Sequence, residues 1–172
     1  MPASRLDDVA PRTPRQLLED AIGYVLLLLL AAVVGTMFGV WLGFDPSQLS
    51  ARAYVEQQQN AIRALNTLLP VLGAVCIALT LVLAFRTHVT NLRYLLLAAA
   101  ACLIAAALIT RFGNQPINAL VLHWTAETPP EDWQTWRDRW WWLHEIRTLA
   151  GVVAYALTLL AVLRRRSSKQ TD

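Results

Sequence analysis

Four runs of apolar residues divide this chain, at 21–44, 65–85, 94–112 and 142–163. A bilayer core about 30 Å thick is crossed by roughly 20 helical residues. Each run meets that length, so the pattern predicts an all-α fold, a four-transmembrane-helix bundle. Polar positions between the runs carry helix-start signals. Thr13-Pro14-Arg15-Gln16 places a capping side chain, then proline at the first helical position, then glutamine at the third. Asp45-Pro46-Ser47-Gln48 and Thr128-Pro129-Pro130-Glu131 repeat the design. Helices one, two and four are therefore expected to begin well before their apolar cores. The expected division is one membrane domain over 1–172 with tails at 1–13 and 165–172. Its helices are expected at 14–44, 46–86, 93–112 and 129–164, with a loop and short helix at 113–128. Pro70 is expected to break the second helix, and Gly113 with Pro116 to end the third. The fourth helix would be about 50 Å long at 1.5 Å per residue, and the second longer still. Both exceed the bilayer core and are expected to project on the non-cytoplasmic side. The polar first half of the second, from Tyr54 through Gln58 to Asn66, fits that placement.

Composition sharpens the picture. The chain is 56% hydrophobic and 16% charged, more apolar surface than a soluble domain of 172 residues hides. The first apolar run continues through Gly35 to Trp41 without a small-residue cleavage site, so it reads as a retained helix. Four spans put both termini and the middle loop on one side. That side carries Arg5, Arg12, Arg15, Arg86, Arg93, Arg164, Arg165, Arg166 and Lys169, nine basic residues. The other carries six, Arg52, Arg63, Arg111, Arg137, Arg139 and Arg147, over longer loops. The positive-inside rule then places both termini in the cytoplasm. A multi-pass protein of the cell membrane is expected, with the lipid bilayer as its first partner. Arginine outnumbers lysine fourteen to one, which points to a GC-rich bacterial genome, and the expected location is then the inner membrane. The basic residues do not gather on one soluble face, so no nucleic-acid partner is expected. Cys76 and Cys102 sit deep in apolar runs, outside any metal-binding spacing, and read as small packing residues.

Gly35, Gly39 and Gly43 recur every four residues on the first helix. Such a stripe lets another helix approach closely, either within the bundle or in a homodimer.

The approach to the last span is rich in tryptophan. Trp133, Trp136, Trp140, His144, Arg147 and Gly151 follow at spacings of three, four, four, three and four, which places them on one helix face. Trp141 and Trp142 read as interface anchors, and Arg137 and Arg139 as solvated. His123 beside Trp124 reads as interfacial, and His88 is given no role. Arg111, His144 and Arg147 lie near or within apolar runs, where ionisable residues usually face an interior. From the residues alone, His144 and Arg147 are either a structural polar cluster or a binding site.

Asn114-Gln115-Pro116-Ile117-Asn118, then Trp124, then Trp140, His144 and Arg147, resembles a small four-helix membrane family that includes the anthrone oxygenases of polyketide pathways. The Tyr54 and Gln58 region is also similar, and the likeness runs from about Ile22 to Leu163. The resemblance implies a cofactor-independent monooxygenase acting on a flat, tricyclic phenolic ketone. In that scheme a base removes a carbon-bound proton, donors hold the enolate oxygen, and the carbanion reacts with oxygen inside an aromatic slot. No metal and no cofactor are expected. The catalytic residues implied are His144 as base and Arg147 as enolate stabiliser. Tyr54, Gln58, Asn114, Asn118, Trp124 and Trp140 are the implied substrate-binding residues, the two indoles stacking on a small hydrophobic aromatic ligand. Haem held by His123 and His144 has no recognisable axial arrangement behind it.

The alternative is a non-enzymatic membrane protein, a lipophile-binding module or assembly subunit whose polar cluster holds helices together. A cavity between Trp140, His144, Arg147 and Asn118 would favour ligand binding, and side chains packed solid would favour the alternative.

Overall fold

The computed structural model describes residues 13–168. They form six helices, α1 (Pro14–Gly43), α2 (Ala51–Leu65), α3 (Leu68–Arg86), α4 (Thr90–Ile109), α5 (Gln115–Leu122) and α6 (Trp133–Ser168), with no strand among the described residues. A single 3₁₀ turn, Pro46–Gln48, precedes α2, and a π turn, Thr110–Asn114, joins α4 to α5. Four stretches are long and apolar enough to cross a membrane: Pro14–Gln48, Leu68–Arg86, Thr90–Leu122 and Trp133–Arg165. Of the expected tail at 1–13, residues 1–12, with Arg5 and Arg12, lie outside the described residues, as does Lys169.

The spanning helices form a ring. α1 packs on α3 and α6, and α4 packs on the same two. Each meets its neighbours antiparallel, because the start of α1 meets the ends of α3 and α6 around Glu19. Glu19 is buried and pairs with Arg15, Arg86 and Arg165. Three cations surround one carboxylate there and close that end of the bundle. Above it, Leu26, Leu30, Cys76, Leu83, Leu96, Leu103 and Ala154 form a solid core. Van der Waals packing of this kind is what joins helices inside lipid.

Local chemistry fixes where the helices start and bend. Thr13 and Gln16 form the capping box expected for α1. Asp45 caps only the 3₁₀ turn, and Ser50 caps α2. The second break falls at Asn66-Thr67, upstream of the expected Pro70. The displacement has a cause: a proline lacks an N–H for the carbonyl four residues back and crowds it, and that carbonyl belongs to Asn66. α6 begins at Trp133 rather than at 129. Pro130 bars its predecessor Pro129 from helical angles, so the first turn forms only once the pair is passed. Gly113 and Pro116 do not end the third helix. The chain inserts a π turn and continues as α5, with Pro116 in the first turn where its missing N–H matters least. Gly113 instead lies close against α6: a Cβ there would stand 2.9 Å from Leu143 Cδ1, the far end of a flexible side chain.

The glycine stripe of α1 does not pack within the bundle. Gly35, Gly39 and Gly43 are exposed, and a Cβ at any of them would meet nothing within 4 Å. The helices that close on α1 do so along its other face, through Leu26, Leu30, Val33, Val34 and Met37.

Candidate functional site

α2 and α5 cap the bundle at the end opposite Glu19. Gln59 on α2 donates from Nε2 to the carbonyls of Val121 and Trp124, both at 2.9 Å, and so ties α2 across the end of α5. Ile62, Ile117, Val121 and Trp140 pack beneath this tie. Between that lid and the solid core lies a cavity of about 420 Å³. The π turn after α4 and the break between α2 and α3 both lie in its walls, through Thr110, Arg111 and Asn66.

Five of the sequence-predicted site residues line the cavity: Gln58, Asn118, Trp140, His144 and Arg147. Arg111 and Asn66 line it as well. α6 supplies one wall at the expected spacing, from Trp140 through His144 and Arg147 to Gly151. Gly151 matters for clearance, because a Cβ there would stand 3.3 Å from Val34 of α1.

A chain of hydrogen bonds orders the polar wall. Trp140 Nε1 donates to Asn118 Oδ1 at 2.7 Å, and Asn118 Nδ2 donates to Asn66 Oδ1 at 2.8 Å. The His144 ring lies parallel to Trp140, with centroids 5.1 Å apart and planes 3° apart. Arg147 forks: one terminal nitrogen donates to Thr110 Oγ1 at 3.1 Å, the other to His144 Nδ1 at 3.0 Å. A guanidinium has no lone pair to offer, so Nδ1 is the acceptor and His144 carries its proton on Nε2. That Nε2–H donates to the Met37 carbonyl of α1 at 3.0 Å. The imidazole is thus neutral and used on both sides.

Two features are unfinished. Gln58 is 1% exposed, yet its amide oxygen and nitrogen have no partner, and Arg147 Nε also has none. Buried groups of this kind are costly unless something hydrogen-bonds to them. No aspartate or glutamate lines the cavity, so the guanidinium faces it without a counter-charge. Among the described residues, no group of three His, Cys, Asp or Glu side chains is placed to hold a metal ion.

Three predicted ligand contacts stand outside the cavity wall. Asn114 is fully buried and donates from Nδ2 to the Trp140 carbonyl at 3.0 Å, which pins the π turn to α6. Tyr54 packs at a tilt against Trp133, centroids 5.6 Å apart, and burial pushes its phenol well above the ordinary range. Trp124 packs against the apolar cluster under the lid and does not reach the cavity. His123 is exposed while His144 is buried. Trp141 is not a simple interface anchor: it packs on Phe44 and lies 5.6 Å from the His144 ring. Trp142, at 60% exposed, does face outward. Thr110 and the Met37 carbonyl were not foreseen. Both depend on which helices become neighbours, and nothing in their own stretches of sequence marks them.

A family model described as anthrone oxygenase matches residues 59–157, more than half of the chain. The chain belongs to the anthrone oxygenase family. No curated protein and no solved structure matches it. Within this anthrone oxygenase family member, the match holds Asn66, Thr110, Asn118, Trp140, His144 and Arg147, every hydrogen-bonded side chain of the wall. Gln58 lies one residue before it, and α1, with Met37, lies wholly outside.

Proposed function

We propose that the chain oxidises a flat phenolic ketone to a quinone in this cavity, with molecular oxygen as oxidant and no cofactor. The observation that carries the reading is the pairing of a half-buried Arg147, which no carboxylate at the cavity wall matches, with a neutral His144 in a mostly apolar cavity. When the substrate's ring oxygen takes the Arg147 N–H, the bond from Arg147 to His144 Nδ1 is released. The freed lone pair then removes one proton from the ring methylene, and Arg147 stabilises the enolate oxygen. The carbanion adds O₂. The resulting peroxide takes the proton back from His144 to become a hydroperoxide. Loss of water, with the second methylene hydrogen, leaves the new carbonyl. One O₂ is consumed, one oxygen atom enters the ring and one water leaves. Gln58 offers both a donor and an acceptor to substrate oxygens, Trp140 walls the slot, and Asn118 orients Trp140. Both termini face the cytoplasm in this reading, and the cavity sits at the other side of a bacterial inner membrane.

A second reading, a lipophile-binding protein without turnover, has its own support. Both nitrogens of His144 and both side-chain ends of Asn118 already have protein partners.

One assay separates them. Membranes containing the protein receive a tricyclic anthrone, and quinone absorbance and oxygen uptake are followed against membranes lacking it. The His144→Ala variant is expected to lose at least about a hundredfold, the scale of a general base. Equal rates above background in wild type and the His144→Ala, Arg147→Ala double variant would sink the enzyme reading. Binding of the anthrone without oxygen uptake would establish the second.

A further inference from the structure

The cavity is only partly enclosed. Ala74 on α3 and Ala107 on α4 line the cavity and are exposed at the same time. Gly73 and Ala106 line it beside them. A Cβ added at Gly73 would meet nothing within 4 Å, so space rather than a neighbour stands there. Both helices belong to spanning stretches, Leu68–Arg86 and Thr90–Leu122. Bulky side chains are also exposed on these helices, among them Val71, Val75 and Val82 on α3 and Ile104 and Leu108 on α4.

We infer that the seam between α3 and α4 is a lateral portal, through which a flat lipophile dissolved in the bilayer enters the cavity without passing through water. Gly73, Ala74, Ala106 and Ala107 set its width, and so select for thin, planar molecules. The polar end of the cavity then receives the molecule's oxygen-bearing edge, since Gln58, Asn118 and Arg147 lie at the lid and the α6 wall. The loop-side rim, with exposed Gln57 and Ala61, is the competing route. This inference does not depend on turnover, because it concerns access alone.

The test therefore uses a reactive probe, not a substrate. With Cys76→Ala and Cys102→Ala in place, Ile62→Cys puts a single thiol at a buried lining position. The full chain is reconstituted in phosphatidylcholine vesicles that carry pyrenylmaleimide in the bilayer, and labelling is timed by fluorescence. Adding Ala107→Trp is expected to slow labelling by about tenfold, as a narrowed gate limits passage. Ala74→Trp, also at an exposed position, tests the same seam if the first variant folds poorly. Gln57→Trp on the loop side is expected to change the rate by less than about twofold. Labelling at the parent rate in both seam variants, or slowing only in Gln57→Trp, overturns the portal. Neither result bears on whether quinone is formed.

Discussion

Single side chains at this site act through the partners they already hold. Arg147 occupies the Nδ1 lone pair of His144, so in the proposed reaction that lone pair becomes free only when a ligand oxygen draws the guanidinium away. Tyr54 shows the same dependence in a simpler form. Its phenol is 0% exposed, its hydroxyl lacks a partner, and burial holds it neutral above its ordinary value of 10.0. An acid raised in the folded state binds its proton where the unfolded chain has lost it, so stability falls as pH climbs past the unfolded value. Denaturation in detergent between pH 9 and 11 is expected to show that loss, at up to about 1.4 kcal/mol per pH unit. Tyr54→Phe should flatten it, and an unchanged slope would assign the loss to other groups. His144, Arg147 and Trp140 were legible in the sequence because helical spacing alone sets their common face. Thr110 and Met37 were not, since their roles come from tertiary neighbours. Trp124 and Asn114 were legible as members of a motif, but their side chains turn to the lid and to α6.

Helices here are shaped by features that local pattern reads unevenly. The start of α1 was readable because a capping box is a contact between residues three apart. The start of α6 was not, as two adjacent prolines obey a stricter rule than one. Gly113 was read as a stop and proved to be a clearance. A valine there would collide with Leu143, and overpacking of this kind costs about 1–3 kcal/mol. Gly113→Val is therefore expected to lower the melting temperature in detergent. Gly113→Ala should be close to neutral, since only a terminal methyl must move and alanine gains about 1 kcal/mol of helix propensity. Pairing Gly113→Val with Leu143→Ala should recover part of the loss. Failure to do so would mean that the glycine serves the π turn's backbone and not the α6 contact.

Across the whole molecule, the four-span architecture was plain from hydrophobic blocks alone, and the ring order of the helices was not. The two ends of the bundle differ in kind. One is solid, locked by Glu19 and its three arginines, and the other holds about 420 Å³ of space under a lid. The glycine stripe of α1 adds a surface that the single chain leaves uncovered. An unfilled interior also makes occupancy measurable by heat. Any molecule that enters the hollow and avoids the unfolded chain raises the free energy of unfolding, by about 2.7 kcal/mol at a hundred times its dissociation constant. Flat tricyclic phenols are expected to shift the melting curve upward in proportion to the logarithm of their concentration. Gln58→Leu should shrink that shift, because it removes the amide whose two ends have no other partner. If no such phenol moves the curve at saturating concentration, the hollow does not hold that class. A thermal scan across lipophiles can thus rank occupants of this protein before any reaction is known, including those it binds and leaves unchanged.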